Sequence, residues 1–428
     1  MKRFTVEFTE KSVTGNAGLV HIGRFIKKLG LQQMLERHLT IRRGANASYT
    51  AGDAVIKLIM GVLARAQHIS DLKVLRSDSA IRTLFEWARF PDNRTFGRIF
   101  RLFNHTHCNE LSEIEARTRQ KVWGKKWFEW ITFDMDSTVR GVTGSQEGAE
   151  KGYNPKKRGQ KSYHPLLCFV AETRECFHNW FRCGSAYSAN GSVEFMKECF
   201  ARLPKRVWKV FVRADSAFFD GKLLDFLEER RSEYLIKVKR KNLVSLLMRQ
   251  SWCKLKNKPG IETTEFMYKC QGWKKARRFV AIRVLVENET ENVLFPMPRY
   301  EFFCYVTNLK LTPWEIHKCY GKRATSENWI EWCKNQMASG SILTQDFWAN
   351  SAIFQSCIFA YNLLVWMLWL HSKKGFHQEP NSIRFWLIHI PGRLIRSGRR
   401  WILKLPEDYL FKKEWVHIES SISALCFR

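Results

Sequence analysis

Between Phe128 and Val238 the chain switches repeatedly between the two-residue period of a strand and the longer period of a helix, and the order of those switches leaves few possible folds. Phe128 to Val139, Leu166 to Glu172 and Cys176 to Cys183 read as strands, with Thr173 to Glu175 as the turn between the last two. Gly191 to Leu203 carries Val193, Phe195, Met196, Cys199 and Phe200 at helical spacing, and Asn190 is its expected cap. Val207 to Val212 is an apolar strand that runs into Arg213-Ala214-Asp215. A helix at about Lys222 to Arg230 and a strand at Tyr234 to Val238 follow.

Three antiparallel strands followed by right-handed crossovers to parallel ones are the plan of an RNase H-like α/β core, a mixed five-stranded sheet with flanking helices. In that plan the first and fourth strands lie side by side, so Asp136 and Asp215 are expected to meet at their carboxyl ends. Alternation puts Asp134 on the same face as Asp136, with Ile131, Phe133 and Met135 on the other. Asp134 is therefore a candidate metal ligand as well.

A third carboxylate comes from Tyr320 to Lys334. On one helix at about 100° per residue, Tyr320, Arg323, Glu327 and Lys334 share an arc of about 60°. Trp329, Trp332 and Cys333 take the opposite side. The charge order suits function better than stability, because Arg323 precedes Glu327 in the less favourable i,i+4 orientation and Glu327 and Glu331 repel at the same spacing. Glu331 rivals Glu327 in helical position, whereas Asp220 and Asp346 read as surface or capping residues.

The whole chain sets the partner. Lys and Arg outnumber Asp and Glu by 71 to 41, a net charge of +30 spread over 428 residues, which points to a polyanion. The N-terminus lacks the apolar core of a signal peptide. The apolar run Ile353 to Leu370 is interrupted by Gln355, Ser356 and Asn362 and reads as a buried core helix, so no membrane partner is expected. The 12 cysteines include no Cys-x-x-Cys pair, which fits a reducing cytosol. His105-Thr106-His107-Cys108 has no matching second half, so zinc is not indicated.

Five segments are expected. Residues 1–125 read as a helical DNA-binding domain with helices at Asn16 to Leu35 and Ala51 to Ala66, and a turn at Pro91 to Thr95 leads into a short basic helix, Phe96 to Phe103. Residues 126–238 and 312–375 form the two parts of the core, separated by a β-rich insertion, 239–311, with strands at Thr263 to Tyr268, Arg277 to Val286 and Tyr300 to Leu309. Residues 376–428 are a basic segment for DNA contact or dimerisation, in which Arg399 and Arg400 sit among Trp, Ile and Leu. The linker containing Lys156, Lys157 and Arg158 is a further candidate for phosphate contact.

Three carboxylates from two strands and a late helix suit hard divalent cations, because Mg²⁺ prefers oxygen ligands. No Walker A loop, nucleophile elbow, His-Glu-x-x-His or dinucleotide fingerprint competes. The chain resembles the DDE transposases of bacterial insertion sequences, in the branch marked by Tyr-(2)-Arg-(3)-Glu-(6)-Lys, which Tyr320, Arg323, Glu327 and Lys334 match at every spacing. Asp136-Ser137-Thr138 looks like the first acidic motif and Arg213-Ala214-Asp215-Ser216 like the second. Tyr153-Asn154-Pro155 through Tyr163-His164-Pro165 looks like the loop after the first strand.

The resemblance implies a catalytic triad of Asp136, Asp215 and Glu327 binding Mg²⁺, with Mn²⁺ as a substitute, and phosphate contacts from Tyr320, Arg323 and Lys334. It implies cleavage at element ends and joining of the freed 3′-hydroxyl to target DNA, by a homodimer that pairs both ends. The setting it implies is the bacterial cytoplasm, at the nucleoid when bound to DNA. A non-catalytic, domesticated DNA-binding protein and a plain Mg²⁺-dependent nuclease are the alternatives.

Overall fold

The computed structural model describes residues 4–9, 11–44, 46–126, 128–154, 157–187, 189–239, 243–286, 299–371 and 378–427. The chain forms two compact units. One comprises residues 1–126, 144–147 and 330–428, and the other 127–143 and 148–329.

The second unit is built on a nine-stranded mixed sheet. Its strands are β1 (Trp130–Ser137), β2 (Leu166–Val170), β3 (Cys176–Trp180), β4 (Lys209–Ala214), β5 (Glu233–Lys237), β6 (Cys253–Lys254), β7 (Ile261–Tyr268), β8 (Arg277–Val286) and β9 (Arg299–Thr307). Their order across the sheet is β6-β7-β8-β9-β5-β4-β1-β2-β3. β1 pairs antiparallel with β2 and parallel with β4, and β4 pairs parallel with β5. The first and fourth strands are thus neighbours, as expected from the order of the elements.

One local reading changes. The helix after β3 is Ser192–Ala201, and its cap is Gly191 at φ 74°, a left-handed conformation that glycine adopts without strain, so Asn190 does not cap it. The strands expected within residues 239–311 are found as β7, β8 and β9. β9 pairs antiparallel with β5, Tyr305 opposite Lys237, so they extend the same sheet from its β5 edge.

The two faces of this sheet are covered differently. Phe133 packs on Phe177 and Phe200, centroids 4.9 and 6.4 Å away, which seats Ser192–Ala201 on one face. On the other, Phe211, Leu235, Val280, Ile282 and Tyr305 pack with Ile316 of the helix Pro313–Gly321. Each such side chain removed from water contributes roughly 1.5–3 kcal/mol, so this seam holds the late helix on the sheet. Thr312 caps that helix in a reciprocal box with Glu315, and Pro313 opens it.

The other unit is mainly helical. The expected helix over Asn16 to Leu35 is two, Leu19–Leu29 and Leu31–His38, broken at Gly30 where φ is 69°. Ala51–Leu63, Asn93–Phe100 and His105–Trp123 pack with Phe347–His371. That last helix is long and apolar enough to cross a membrane, yet 83% of its most apolar 18-residue stretch is buried. Asn362 Nδ2 within it donates to the buried Glu115 Oε1. A hairpin of Gly392–Ser397 and Arg400–Lys404 belongs to the same unit.

Candidate active site

Strand register brings the carboxylates together. Met135 lies beside Ala214, so the next residues, Asp136 and Asp215, end adjacent parallel strands. Asp215 then caps a short turn, its Oδ1 accepting from the Ala217 amide at 3.0 Å. Asp136 Oδ1 accepts from the Ser137 amide at 2.7 Å. The Tyr163-His164-Pro165 triplet braces this strand end, because Pro165 O accepts from the Thr138 amide and His164 Nε2 lies 3.1 Å from Ser137 Oγ.

Glu327 reaches the same place by a different route from the one its periodicity predicts. The helix Pro313–Gly321 stops, Lys322 and Arg323 form a turn, and a second helix runs from Ala324 to Glu331. A π-turn, Trp332–Gln336, follows. The single stripe therefore survives only as far as Glu327. Asp136, Asp215, Ser216, Lys237, Tyr320, Arg323 and Glu327 line one cavity of about 430 Å³. Lys334 is half-buried on the π-turn, in the other unit, as is the exposed Glu331, which accepts from Asn335 Nδ2 at 3.3 Å.

Asp134 has another role from the one its position on the strand suggests. It is fully buried, and both its oxygens are taken by Arg213, Nε to Oδ1 and Nη2 to Oδ2, each at 2.7 Å. Arg213 Nη1 also donates to Cys319 O at 3.0 Å, which ties the end of Pro313–Gly321 to the sheet. Fully buried and held by a bidentate partner, Asp134 is engaged as a structural anchor beneath the site.

Electrostatics separate the remaining groups. Burial, with repulsion from Asp215 and Glu327, pushes the Asp136 carboxyl up to about 6 against the pull of Arg323. Arg323 is 4% exposed, with Nη2 2.7 Å from Asp136 Oδ2 and Nη1 3.5 Å from Glu327 Oε1. Burial also pushes the Tyr320 phenol up to about 12, so it keeps its proton near neutrality and can donate to an anion. Its ring lies 4.8 Å from that of Tyr305, whose hydroxyl meets His317 Nδ1 at 2.9 Å.

Of the other basic candidates, Lys157 and Arg158 are exposed in the loop after Asn154, which accepts from the Lys157 amide at 3.0 Å. Lys156 lies outside the described residues. Arg399 and Arg400 are exposed at the tip of the Gly392–Lys404 hairpin, in the other unit. Asp220 caps Gly221–Glu229 and Asp346 pairs with Arg101 at 3.2 Å, as surface and capping residues do. Ser216, named in the sequence only as part of the second acidic motif, also lines the cavity; sequence reasoning missed Lys237, which only the pairing of β4 with β5 could have revealed.

The profile of the transposase DDE domain group 1 family matches residues 1–426. The chain belongs to this DDE transposase family. No curated protein matches it in sequence. Among solved structures it is similar to a piggyBac transposase synaptic complex with hairpin DNA, at 12% identity and a TM-score of 0.45, over 88% of this chain and 81% of that one. It is also similar to a Mos1 transposase paired-end complex with the left transposon end, at 12% identity and a TM-score of 0.18, over 46% and 60%.

DDE transposases depend on divalent metal as a family, and the cavity fits such an ion in donor chemistry. It gathers three carboxylates and the Ser216 and Tyr320 hydroxyls, and carboxylate oxygens are the donors that Mg²⁺ takes. Burial first, and then the charges of Asp215 and Glu327, raise the pKa of Asp136, and a cation would oppose both effects. Among the described residues, however, no three His, Cys, Asp or Glu side chains already stand close enough to hold an ion. Arg323 engages Asp136, and the Glu327 side chain is 67% exposed on the first turn of its helix, with room to change rotamer.

Proposed function

We propose that this DDE transposase cuts DNA at the ends of an insertion sequence and joins the freed 3′-hydroxyls to target DNA. In this reading the core is RNase H-like, the chain falls in the Tyr-Arg-Glu-Lys branch, and it acts in the bacterial cytoplasm as a homodimer on double-stranded DNA. The observation that carries the reading is the convergence of Asp136, Asp215 and Glu327, from two strand ends and a separate helix, on a single cavity shared with Tyr320 and Arg323.

Asp136, Asp215 and Glu327 would hold Mg²⁺, or Mn²⁺ in its place. Bound there, the metal supplies activation of the attacking oxygen and stabilisation of the leaving oxygen in an in-line phosphoryl displacement. The chain's own residues prepare the site. Arg323 holds Asp136 as a carboxylate before substrate arrives, and on release its planar guanidinium suits a phosphate oxygen. Tyr320, protonated and braced by Tyr305, donates to the same backbone. Lys334, Lys157, Arg158, Arg399 and Arg400 are proposed to contact phosphates further along the DNA, with Lys156 beside them in the sequence.

The test is cleavage of labelled element-end DNA by purified protein with and without Mg²⁺. Asp136→Asn, Asp215→Asn and Glu327→Gln are each expected to lower the cleavage rate by at least about a hundredfold while end binding persists. Undiminished Mg²⁺-dependent cleavage in all three would remove the assignment, and tight binding without cleavage under any metal would favour a DNA-binding protein.

A further inference from the structure

We propose that Lys237 is a phosphate-contacting residue of this site, the cation that meets a non-bridging oxygen of the DNA strand where it crosses the end of β5. The inference rests on the DNA-processing reading above and assigns a contact that neither the acidic triad nor the Tyr-Arg-Glu-Lys pattern contains. It begins from register. Met135 pairs with Ala214, and Ala214 pairs with Ile236, so the next residue on each of three adjacent parallel strands is Asp136, Asp215 and Lys237. Paired residues on parallel strands project to the same face, and neighbouring strands stand about 4.8 Å apart. The sheet therefore presents carboxylate, carboxylate and ammonium in a row along its carboxyl edge, and all three line the same cavity.

The two cations of the cavity are not equivalent. Arg323 is engaged by Asp136 and Glu327. Lys237 is half-buried, its backbone is fixed on both sides by β4 and β9, and among the described residues its side chain enters no ion pair. A half-buried ammonium at a strand end gains no stability from a missing partner, and a packed stem can leave its charged head facing the cavity. An anion that arrives only with substrate completes the arrangement, and a compact ammonium suits a single phosphate oxygen. From its place in the row, Lys237 meets the strand on the β5 side of Asp215, away from Asp136.

The measurement uses the full chain and a labelled duplex carrying the element's end, with Ca²⁺ replacing Mg²⁺ so that binding is read without turnover. Lys237→Gln is expected to reduce the slope of log affinity against log salt by about 0.9, the loss of one phosphate contact. Lys237→Arg, which keeps the charge, is expected to return the wild-type slope. With Mg²⁺ at saturating DNA, Lys237→Gln is expected to cut the cleavage rate by about tenfold or more, and Lys237→Arg to recover part of it. Lys237→Met, which keeps the apolar stem, repeats the slope measurement if the Gln variant does not fold. An unchanged slope in the neutral variants, or equal losses in the Gln and Arg variants, would overturn the proposal. Wild-type protein that binds but never cuts would overturn the transposase reading alone, because the slope still judges Lys237.

Discussion

Asp134 and Asp136 are two residues apart on one strand face, and the structure gives them different surroundings. Asp134 lies one row deeper, sealed against Arg213, and Asp136 opens onto the cavity at 14% side-chain exposure. Removing one partner of a buried ion pair costs about 3–5 kcal/mol because the other charge is left uncompensated. Asp134→Ala is therefore expected to lower the thermal stability of the second unit by that order. Asp215→Asn, at a position where Asn caps as well as Asp, is expected to change stability by less than about 1 kcal/mol. Equal melting of the two variants would contradict the division between anchor and ligand. The sequence shows both aspartates but not the division, because Arg213 reaches Asp134 only through the β1–β4 register across 79 residues.

At the scale of elements, the order of strands and helices in the first half of the sheet is legible because each element carries a clean period, as Ile131, Phe133 and Met135 do in β1. What is not legible has physical causes. The 3.6-residue period runs unbroken from Tyr320 to Lys334, so nothing local announces the turn at Lys322–Arg323 or the π-turn at Trp332–Gln336. The π-turn is braced from afar, since the buried Arg384 donates to Gln336 O at 2.7 Å as well as to Val62 O and Leu63 O. Likewise, β9 joins β5 by pairing across about 70 residues, which no local pattern encodes. Helix seams also set pH behaviour. His371, at the end of Phe347–His371, is 5% exposed, contacts Ser421 Oγ at 2.6 Å and is pushed down to about 4 by burial. A histidine held neutral in the folded state contributes stability that is fully present above its unfolded pKa of about 6.5 and lost as pH falls towards 4, at about 1.4 kcal/mol per pH unit. Melting temperature is expected to fall between pH 6.5 and 5, and His371→Gln to flatten that fall. An unchanged pH slope in the variant would contradict it.

For the whole molecule, the net charge of +30 and the cavity describe one task at two ranges. In the proposed function, dispersed Lys and Arg would gather a polyanion regardless of its sequence, and the carboxylates of the second unit would act on one bond of it. Arg399 and Arg400, exposed at a hairpin tip, are proposed for the first task. Their joint replacement by Ala is expected to lower the salt slope of DNA binding by about 2 and to leave the metal dependence of cleavage unchanged. A slope identical to that of the wild type would remove the hairpin from the DNA path. The most direct test of the whole account is a joining assay with purified protein, labelled element ends and a target plasmid, with and without Mg²⁺. Joined products are expected to require Mg²⁺ and to vanish in Glu327→Gln while end binding persists. Joined products at the wild-type level in Glu327→Gln would contradict it.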